Sequence, residues 1–220
     1  MTKKTRFHIL CAYTDDILYE GWFSSQKECV ETAVAEHINL DGADLTGINL
    51  ANANLDDAQM AGVILNGANL NGANLSECVF DNAQMVGADL SHACFALSSL
   101  MNVDMTAASF SATEVIDAVI SGCRFSCPSV FGTAFHKAAV FKGCRFIHDT
   151  KGDFIMDKPP VIIQGLTRDI VYLDHIIKVG SEFIAKGDLI AAGDRHLEFL
   201  YGREIASFLR PVLYETMASL

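Results

Sequence analysis

The fold is decided by a repeat that is clearest in residues 41–75, which read DGADLTGINLANANLDDAQMAGVILNGANLNGANL. Divided into fives, this stretch ends each group on Leu or Met, with a smaller or apolar residue two positions earlier. The large apolar residues begin at Leu40 and recur at every fifth position as far as Phe135. A period of five matches neither a helix of 3.6 residues per turn nor a continuous strand with a period of two. The pattern therefore predicts short extended segments separated by corners.

Each group of five has two positions that we expect to face inward. They are the large apolar residue, which we call the centre, and the small position two residues before it, as alternation along a strand requires. Ala and Cys dominate the small position, for example at Ala43, Ala68 and Cys78. Two residues after a centre comes a corner, where glycine adopts a positive φ at little cost. The glycines expected at corners are Gly42, Gly47, Gly62, Gly67, Gly72, Gly87, Gly122 and Gly132.

Several segments carry a recognisable five-residue signature. Ala43-Asp44-Leu45-Thr46-Gly47, Ala68-Asn69-Leu70-Asn71-Gly72 and Ala88-Asp89-Leu90 resemble the A(D/N)LXX motif of pentapeptide-repeat proteins. The resemblance covers roughly residues 38–148. It implies a right-handed, four-sided β-helix with four pentapeptides per coil, and so five coils between Ile38 and Lys137.

The register of the repeat is expected to slip by one residue after Lys137. Phe141 and Phe146 continue the series of centres one position late, with Ala139 and Cys144 as their small partners. This predicts a bulge around Ala138 and Ala139.

The fold class predicted for the whole chain is mainly β, a β-helix of about five to six coils with small α/β caps at both ends. The predicted domains are an N-terminal hairpin–helix cap at 1–37, the β-helix at 38–148 and a C-terminal α+β module at 149–220. Residues 6–23 read as a β-hairpin.

Both caps have their own local signals. Ser25 and Glu28 predict a capping box for a helix from Gln26 to His37. In the C-terminal module, strands are expected at Val161–Ile163, Ile170–Leu173 and Ile176–Val179, with a turn at Gly165. The last thirty residues read as helix, which Pro211 should kink or split.

Charge is distributed unevenly along the chain. The net charge is −11 overall, −10 over residues 38–123, which contain no Lys or Arg, and +3 over residues 124–150. This balance disfavours unspecific binding to phosphate backbones, so no direct nucleic-acid partner is expected.

No apolar run reaches membrane-spanning length, and the stretch from Phe7 to Tyr13 is too short for a secretory signal. We expect no membrane partner, and a place in the cytosol.

The sequence gives little sign of catalysis. It contains no phosphate-binding glycine loop, nucleophile elbow or dinucleotide fingerprint, so we expect no enzyme, no catalytic residue and no cofactor. A spacing that could suit zinc is found in four residues, Cys123, Cys127, Cys144 and His148. The repeat places the first and third inward and the other two outward, so no metal site is expected. Cys123 and Cys144 should stack within ~5 Å on adjacent coils; whether they pair stays open.

One candidate binding surface is acidic. Stacking by twenty places Asp57, Glu77 and Asp117 in one outward corner column, with Asp56 and Glu114 beside it. In the resembled family, fluoroquinolone-resistance members act on type II topoisomerases as DNA mimics. The resemblance thus implies an alternative function, an acidic DNA mimic that binds a DNA-processing enzyme. The uninterrupted coils and the long C-terminal module depart from those members.

The preferred reading is a non-enzymatic protein-interaction or structural protein. An outward apolar docking face is predicted at Ala61, Val79, Met101 and Val119, with Ile116 and Phe131 as further outward apolar residues. A helical stripe predicts self-association into a homo-oligomer; its residues are Leu197, Leu200, Ile205, Phe208, Leu209, Val212 and Leu213. The caps also resemble those of phage-encoded pentapeptide-repeat proteins, which implies a virion or phage accessory component with protein partners.

Overall fold

The corners of the repeat share one backbone conformation. In a computed structural model, which describes residues 3–149, 152–173 and 176–218, every fifth residue from Gly42 to Gly122 has a φ between 53° and 69°. The corner prediction is therefore confirmed for seven of its eight glycines. Gly132 is the exception, because it lies in a 3-10 turn and has no positive φ. Ten corners are not glycine, and Leu97 is among them.

Successive coils stack with a period of twenty residues. Isolated parallel bridges join residues twenty apart, from Asp44 and Ile64 to Cys94 and Glu114. Between coils, the N–H of a centre donates to the carbonyl nineteen residues later. Leu65, for example, donates to the carbonyl of Gln84 at 2.7 Å. All twenty predicted centres from Leu40 to Phe135 are buried. The inside of the β-helix is thus a continuous apolar core.

Regular strands appear in the later coils. Their bounds are β3 Ser99–Met101, β4 Asp104–Met105, β5 Val119–Ser121, β6 Arg124–Phe125, β7 Val140–Lys142, β8 Cys144–His148 and β9 Gly152–Met156. One parallel sheet has the order β3-β5-β7, and another has the order β4-β6-β8-β9 with β9 antiparallel to β8. As an added antiparallel strand, β9 covers the last edge of that second sheet.

The predicted one-residue slip is present, but it lies earlier than expected. Val119 pairs with Val140 and Arg124 with Arg145, a spacing of twenty-one. The N–H of Asp117 already donates to the carbonyl of Lys137, twenty residues later instead of nineteen. The extra residue therefore lies before Lys137, in the 3-10 turns Pro128–Gly132 and Phe135–Lys137.

Two predictions for the last coil are consequently wrong. The bulge is not at Ala138 and Ala139, and Ala139 is exposed instead of facing the core. Phe131, expected to face outward, is buried and packs against Phe146 at a tilt, with ring centroids 4.7 Å apart. Pro128 starts the first 3-10 turn, where its missing N–H leaves no backbone donor unsatisfied.

The N-terminal hairpin and helix are confirmed. Strands β1 (Thr5–Leu10) and β2 (Ile17–Phe23) pair antiparallel, and α1 spans Gln26–Ala35. Ser25 caps the helix by accepting the N–H of Glu28 at 3.1 Å. The carboxylate of Glu28 accepts the N–H of Ser24, one residue before the partner that a capping box predicts.

This cap satisfies backbone groups that would otherwise be exposed at the first coil. The N–H of Asp44 donates to the carbonyl of Leu10 at 2.8 Å. Lys27 donates its ammonium to the carbonyl of Ala51 at 2.7 Å, and the carboxylate of Glu31 accepts the N–H of Asn54 at 3.0 Å. An open end of stacked strands invites further strands, so these contacts also protect the chain from end-to-end pairing.

Residues 158–220 form a second compact unit, separate from residues 1–157. Its strands β10 (Val161–Ile163), β11 (Ile170–Tyr172), β12 (Ile176–Val179) and β13 (Glu182–Ala185) make an antiparallel sheet in chain order. The sequence did not predict β13. Helix α2 (Lys186–Ala218) packs its buried residues Leu197, Ile205 and Leu209 with those of the sheet.

Helix α2 bends at Gly202, which the sequence did not predict. The guanidinium of Arg210 hydrogen-bonds the carboxylate of Glu198, twelve residues earlier. In a straight helix those backbones would lie ~18 Å apart, beyond the joint reach of the two side chains. Gly202 has a φ of 76°, which breaks the regular helical path, and the helix is not split at Pro211. Of the helices in the described ranges, none is long and apolar enough to cross a membrane.

Candidate interaction surfaces

The acidic corner column forms as predicted. Asp57, Glu77 and Asp117 are exposed, and all three occupy the same corner of different coils at φ values of 56° to 60°. Coils rise by ~4.8 Å, so the column from Asp57 to Asp117 is about 14 Å long. Leu97 holds the corner between Glu77 and Asp117. Asp56 and Glu114 are also exposed, and both lie on the side of this corner that precedes it along the chain.

The acids of the repeat divide into two groups that the sequence could not separate. Asp104 pairs with Arg124 at 2.7 Å. Asp81 accepts the hydroxyl of Ser99, and Asp89 accepts the N–H of Ser91; the contact with Ser91 lowers the pKa of Asp89.

The acids at the corner are different. Within residues 38–149, all of which are described, the carboxylates of Asp57, Glu77 and Asp117 make no hydrogen bond or ion pair with the protein. Their full hydrogen-bonding capacity is therefore available to a partner.

The predicted apolar docking face is discontinuous. Ala61, Val79 and Val119 are half-buried, and Met101 is 41% exposed. The hydroxyl side chain of Ser99 lies between Val79 and Val119 in the ladder. Ile116, which the sequence also placed outward, is 42% exposed and belongs to the acidic corner instead.

Most of the predicted self-association stripe packs inside its own module. Leu197, Ile205 and Leu209 are buried in the core of residues 158–220, and Phe208 and Val212 pack against that core. Tyr172 anchors the second half of the helix by donating its hydroxyl to the carbonyl of Phe208 at 2.6 Å. The side chain of Leu213 lies outside the described residues.

Among the α2 side chains that the structure describes, three large apolar ones reach the surface: Leu200 at 48% exposed, Tyr214 at 55% and Phe199 at 85%. The sequence reading missed Phe199, because it falls outside the periodic stripe. A large aromatic residue off the stripe of an amphipathic helix is the signal that could have found it.

The cysteines of the last coils are free thiols. Cys123 and Cys144 are neighbours on adjacent coils, because the residues after them, Arg124 and Arg145, pair in register. Cys123 donates to the carbonyl of Leu100 at 3.0 Å, and its contact with the Cys144 thiol together with burial raises the pKa of Cys123. In the described ranges, no group of His, Cys, Asp and Glu is arranged to hold a metal ion.

A buried hydrogen bond from a side chain to the backbone recurs at the small position, and the sequence did not predict it. The side chains of Cys78, Ser98 and Thr113 each donate to the carbonyl of the centre twenty-three residues earlier, over 2.6 to 3.0 Å. Burial raises the pKa of the Cys78 thiol to about 12. These bonds tie each coil to the one before it from inside the core, and so help to fix the positions of the outward side chains.

Comparison with known proteins bears on the repeat alone. Residues 33–67 and 65–95 match the model of the pentapeptide-repeat family, with eight copies. No curated protein shows significant similarity to the chain.

Several solved structures share the repeat. HetL, a pentapeptide repeat protein involved in heterocyst differentiation regulation in the cyanobacterium Nostoc sp. strain PCC 7120, is 26% identical, over 37% of this chain and 40% of its own, with a TM-score of 0.34. A pentapeptide repeat protein of the Arabidopsis thaliana thylakoid lumen is 26% identical, over 37% of this chain and 63% of its own, with a TM-score of 0.24. The protein alr5209 of Nostoc PCC 7120 is 27% identical, over 40% of this chain and 66% of its own, with a TM-score of 0.25. The chain thus spans less than two thirds of each of these proteins.

Proposed function

We propose that this chain, which carries pentapeptide repeats over residues 33–95, is a non-enzymatic protein-interaction or structural protein that acts through the outward side chains of its β-helix. The observation that carries the proposal is the corner column. The corner side chains stand at intervals of ~4.8 Å on a hydrogen-bonded core, and the carboxylates of Asp57, Glu77 and Asp117 make no bond to the described residues. The proposal includes the right-handed, four-sided form and the five to six coils that the family resemblance implies.

The partner is proposed to be a protein, and the test is affinity capture with the full chain. Extracts of host cells, with and without phage infection, are passed over the immobilised protein and eluted with rising salt. Recovery of one stoichiometric partner supports an interaction role. Salt-resistant recovery of capsid or tail proteins would support the phage component proposed from the cap resemblance, in host cytosol or virion. Absence of any stoichiometric partner from both extracts would contradict the proposal.

Self-association through the C-terminal module is part of the proposed function. Phe199 and Leu200 are adjacent exposed apolar residues that helix α2 offers to a second copy. Sedimentation velocity should show a homo-oligomer that Phe199→Asp converts to monomer. The control is Ser207→Asp, which adds the same charge at another exposed position of the helix. A wild-type monomer at every accessible concentration would contradict self-association.

A second candidate is the acidic DNA mimic, favoured by one observation. Residues 38–123 carry ten acids and no Lys or Arg. Duplex DNA carries one charge per ~1.7 Å of axis, and ten acids over about four coils approach that density. Asp57, Glu77 and Asp117 align on one side, so the mimicry covers part of the surface.

The DNA-mimic hypothesis is tested by measuring whether the protein inhibits a DNA-processing enzyme such as a type II topoisomerase. The double variant Asp57→Asn with Glu77→Gln should weaken inhibition of supercoiling steeply at low salt. The matched control is Asp15→Asn with Asp16→Asn, which removes two exposed charges from the hairpin turn. Equal inhibition by both double variants and the wild type would remove the DNA-mimic candidate.

A further inference from the structure

Leu97 is an exposed apolar residue in a backbone conformation that disfavours it. Its φ is 62° and its side chain is 60% exposed. The other nine non-glycine corners hold only Asn, Asp, Glu, His or Ala. A left-handed backbone is unfavourable for a residue with a Cβ, and the exposed part of the Leu97 side chain gains no burial energy in return. Stability does not account for leucine here, and strain of this kind points to a role in function.

Leu97 has an apolar neighbour on the same corner. Its N–H donates to the carbonyl of Ile116 at 2.9 Å, which holds the two residues side by side on adjacent coils. Ile116 is itself 42% exposed, and Ala96 beside Leu97 is half-buried. The three residues form a small apolar spot, which we call the Leu97 spot.

Carboxylates flank the Leu97 spot along the axis of the β-helix. Glu77 occupies the same corner one coil before Leu97, and Asp117 one coil after it, each ~4.8 Å away at the backbone. Asp57 lies one coil beyond Glu77. The corner thus presents acid, apolar and acid groups in a line about 10 Å long, and none of these carboxylates is engaged by a cation of residues 38–149.

We propose that this corner binds a basic amphipathic helix of a partner protein. The helix places an apolar side chain on the Leu97 spot and a Lys or Arg one turn to either side, against Glu77 and Asp117. Positions i, i+3 and i+7 of a helix advance by about 4.5 and 10.5 Å along its axis, close to the two steps of the corner column. The proposal rests on the proposed interaction function and specifies the partner class.

Charge selects this occupant over the alternatives. Residues 38–123 have a charge of −10 and no Lys or Arg, so they repel phosphate and attract cations. A contact on Leu97 excludes water beside the two carboxylates, and ion pairs are stronger where water is excluded. Lys137, whose carbonyl accepts the N–H of Asp117, marks where the acidic part of the column ends.

The test uses the full chain and two synthetic helical peptides labelled with a fluorophore. One peptide carries Lys, Leu and Lys at i, i+3 and i+7; the other has the same composition with the leucine moved to the opposite face. Fluorescence anisotropy should show tighter binding of the first peptide. Leu97→Asn should weaken that binding about tenfold, as loss of ~1.4 kcal/mol of apolar contact requires. The variant should fold, because Asn occupies the same type of corner at Asn52, Asn82 and Asn102.

Two further variants separate apolar from charged contributions. Glu77→Gln with Asp117→Asn should weaken binding at low salt and flatten its salt dependence. Val86→Asn, which removes an exposed apolar residue outside the corner, should change binding less than twofold. A thermal melt of Leu97→Asn at or above the wild-type midpoint shows that its loss of binding is not a loss of folding.

Equal binding of both peptides, or wild-type binding by Leu97→Asn, would overturn the inference while leaving the interaction function intact. Failure of the wild type to bind either peptide at low salt would also overturn the partner class. The interaction function fails by a different result, namely the absence of any stoichiometric partner in affinity capture.

Discussion

The regular coils of residues 40–125 and the last coil of residues 126–148 follow the same five-residue rule with different backbones. In the regular coils, the N–H groups of centres and corners donate to backbone carbonyls of the next coil. Facing the last coil, the N–H groups of Ala107 and Phe110 donate instead to the hydroxyls of Ser126 and Ser129, at 2.7 and 3.1 Å. The period therefore determines which residues are buried, but not which backbone groups pair.

The small position shows the same contrast. Thr113 donates its hydroxyl to the carbonyl of Leu90 at 2.9 Å. Thr133, one coil later, is also buried, but its hydroxyl has no hydrogen-bond partner among the residues for which the structure gives a position. Aromatic packing of Phe131 on Phe146 stabilises the last coil in place of the missing bonds.

The largest expected effect comes from removing a buried ring in each region. Phe95→Ala should lower the free energy of unfolding by about 3–5 kcal/mol, because hydrogen-bonded coils on both sides keep the cavity open. Phe131→Ala should cost less, because the backbone around it has fewer bonds between coils and can close on the space. Urea denaturation measures both. A smaller loss for Phe95→Ala than for Phe131→Ala would contradict the contrast.

Alkaline pH should weaken the regular coils through Cys78. Burial raises the pKa of this thiol to about 12, above the value near 9 of an unfolded cysteine. The neutral Cys78 thiol therefore contributes fully to the free energy of unfolding below pH 9. This contribution is lost as the pH rises towards 12, at up to ~1.4 kcal/mol per pH unit. Cys78→Ser should be less sensitive over this range, because Ser98 shows that serine makes the same bond without titrating. Identical pH profiles for the two proteins would refute this role.

Replacing Thr113 and Thr133 by valine should change the stability of the protein in opposite directions. Thr113→Val removes a made hydrogen bond and should destabilise the protein by about 1 kcal/mol. Thr133→Val removes a buried hydroxyl that lacks a partner, and should stabilise it by about 1 kcal/mol. Thermal unfolding of both variants gives the comparison. The same sign of change in both would show that the two coils do not differ at this position.

A smaller effect is expected at two glycines. An added Cβ meets no atom within 4 Å at either Gly47 or Gly132, but only Gly47 has a positive φ, of 66°. Gly47→Ala should therefore cost about 1 kcal/mol, and Gly132→Ala should be neutral or slightly stabilising. Equal losses of stability in the two variants would mean that Gly47 does not have the positive φ of the other corners.

The burial pattern could be predicted from the sequence because it depends on one strong period. Every centre from Leu40 to Phe135 was assigned correctly for that reason. The place of the slip could not be predicted, since Val130, Phe131 and Phe135 are all apolar and several registers bury two of the three. The bend of α2 at Gly202 could not be predicted either, because the sequence offered only Pro211 as a place for a kink or split.

The candidate surface was predicted in part. The column of Asp57, Glu77 and Asp117 follows from stacking by twenty. The difference between these acids and Asp81 or Asp104, which are bonded within the protein, depends on side-chain contacts that no spacing reveals. The strain at Leu97 also needed the structure, because leucine is not a residue that the corner conformation selects.

Residue-resolved amide hydrogen exchange tests the central claim most directly, since it reports which N–H groups are bonded between coils. We expect strong protection at the centres and corners of the regular coils, for example at Leu65, Gly67 and Leu70, whose N–H groups all donate to the next coil. Weaker protection is expected at Ala107 and Phe110, whose N–H groups donate to the hydroxyls of Ser126 and Ser129. Uniform protection across both regions, or no protection at the centres and corners of the regular coils, would contradict this claim.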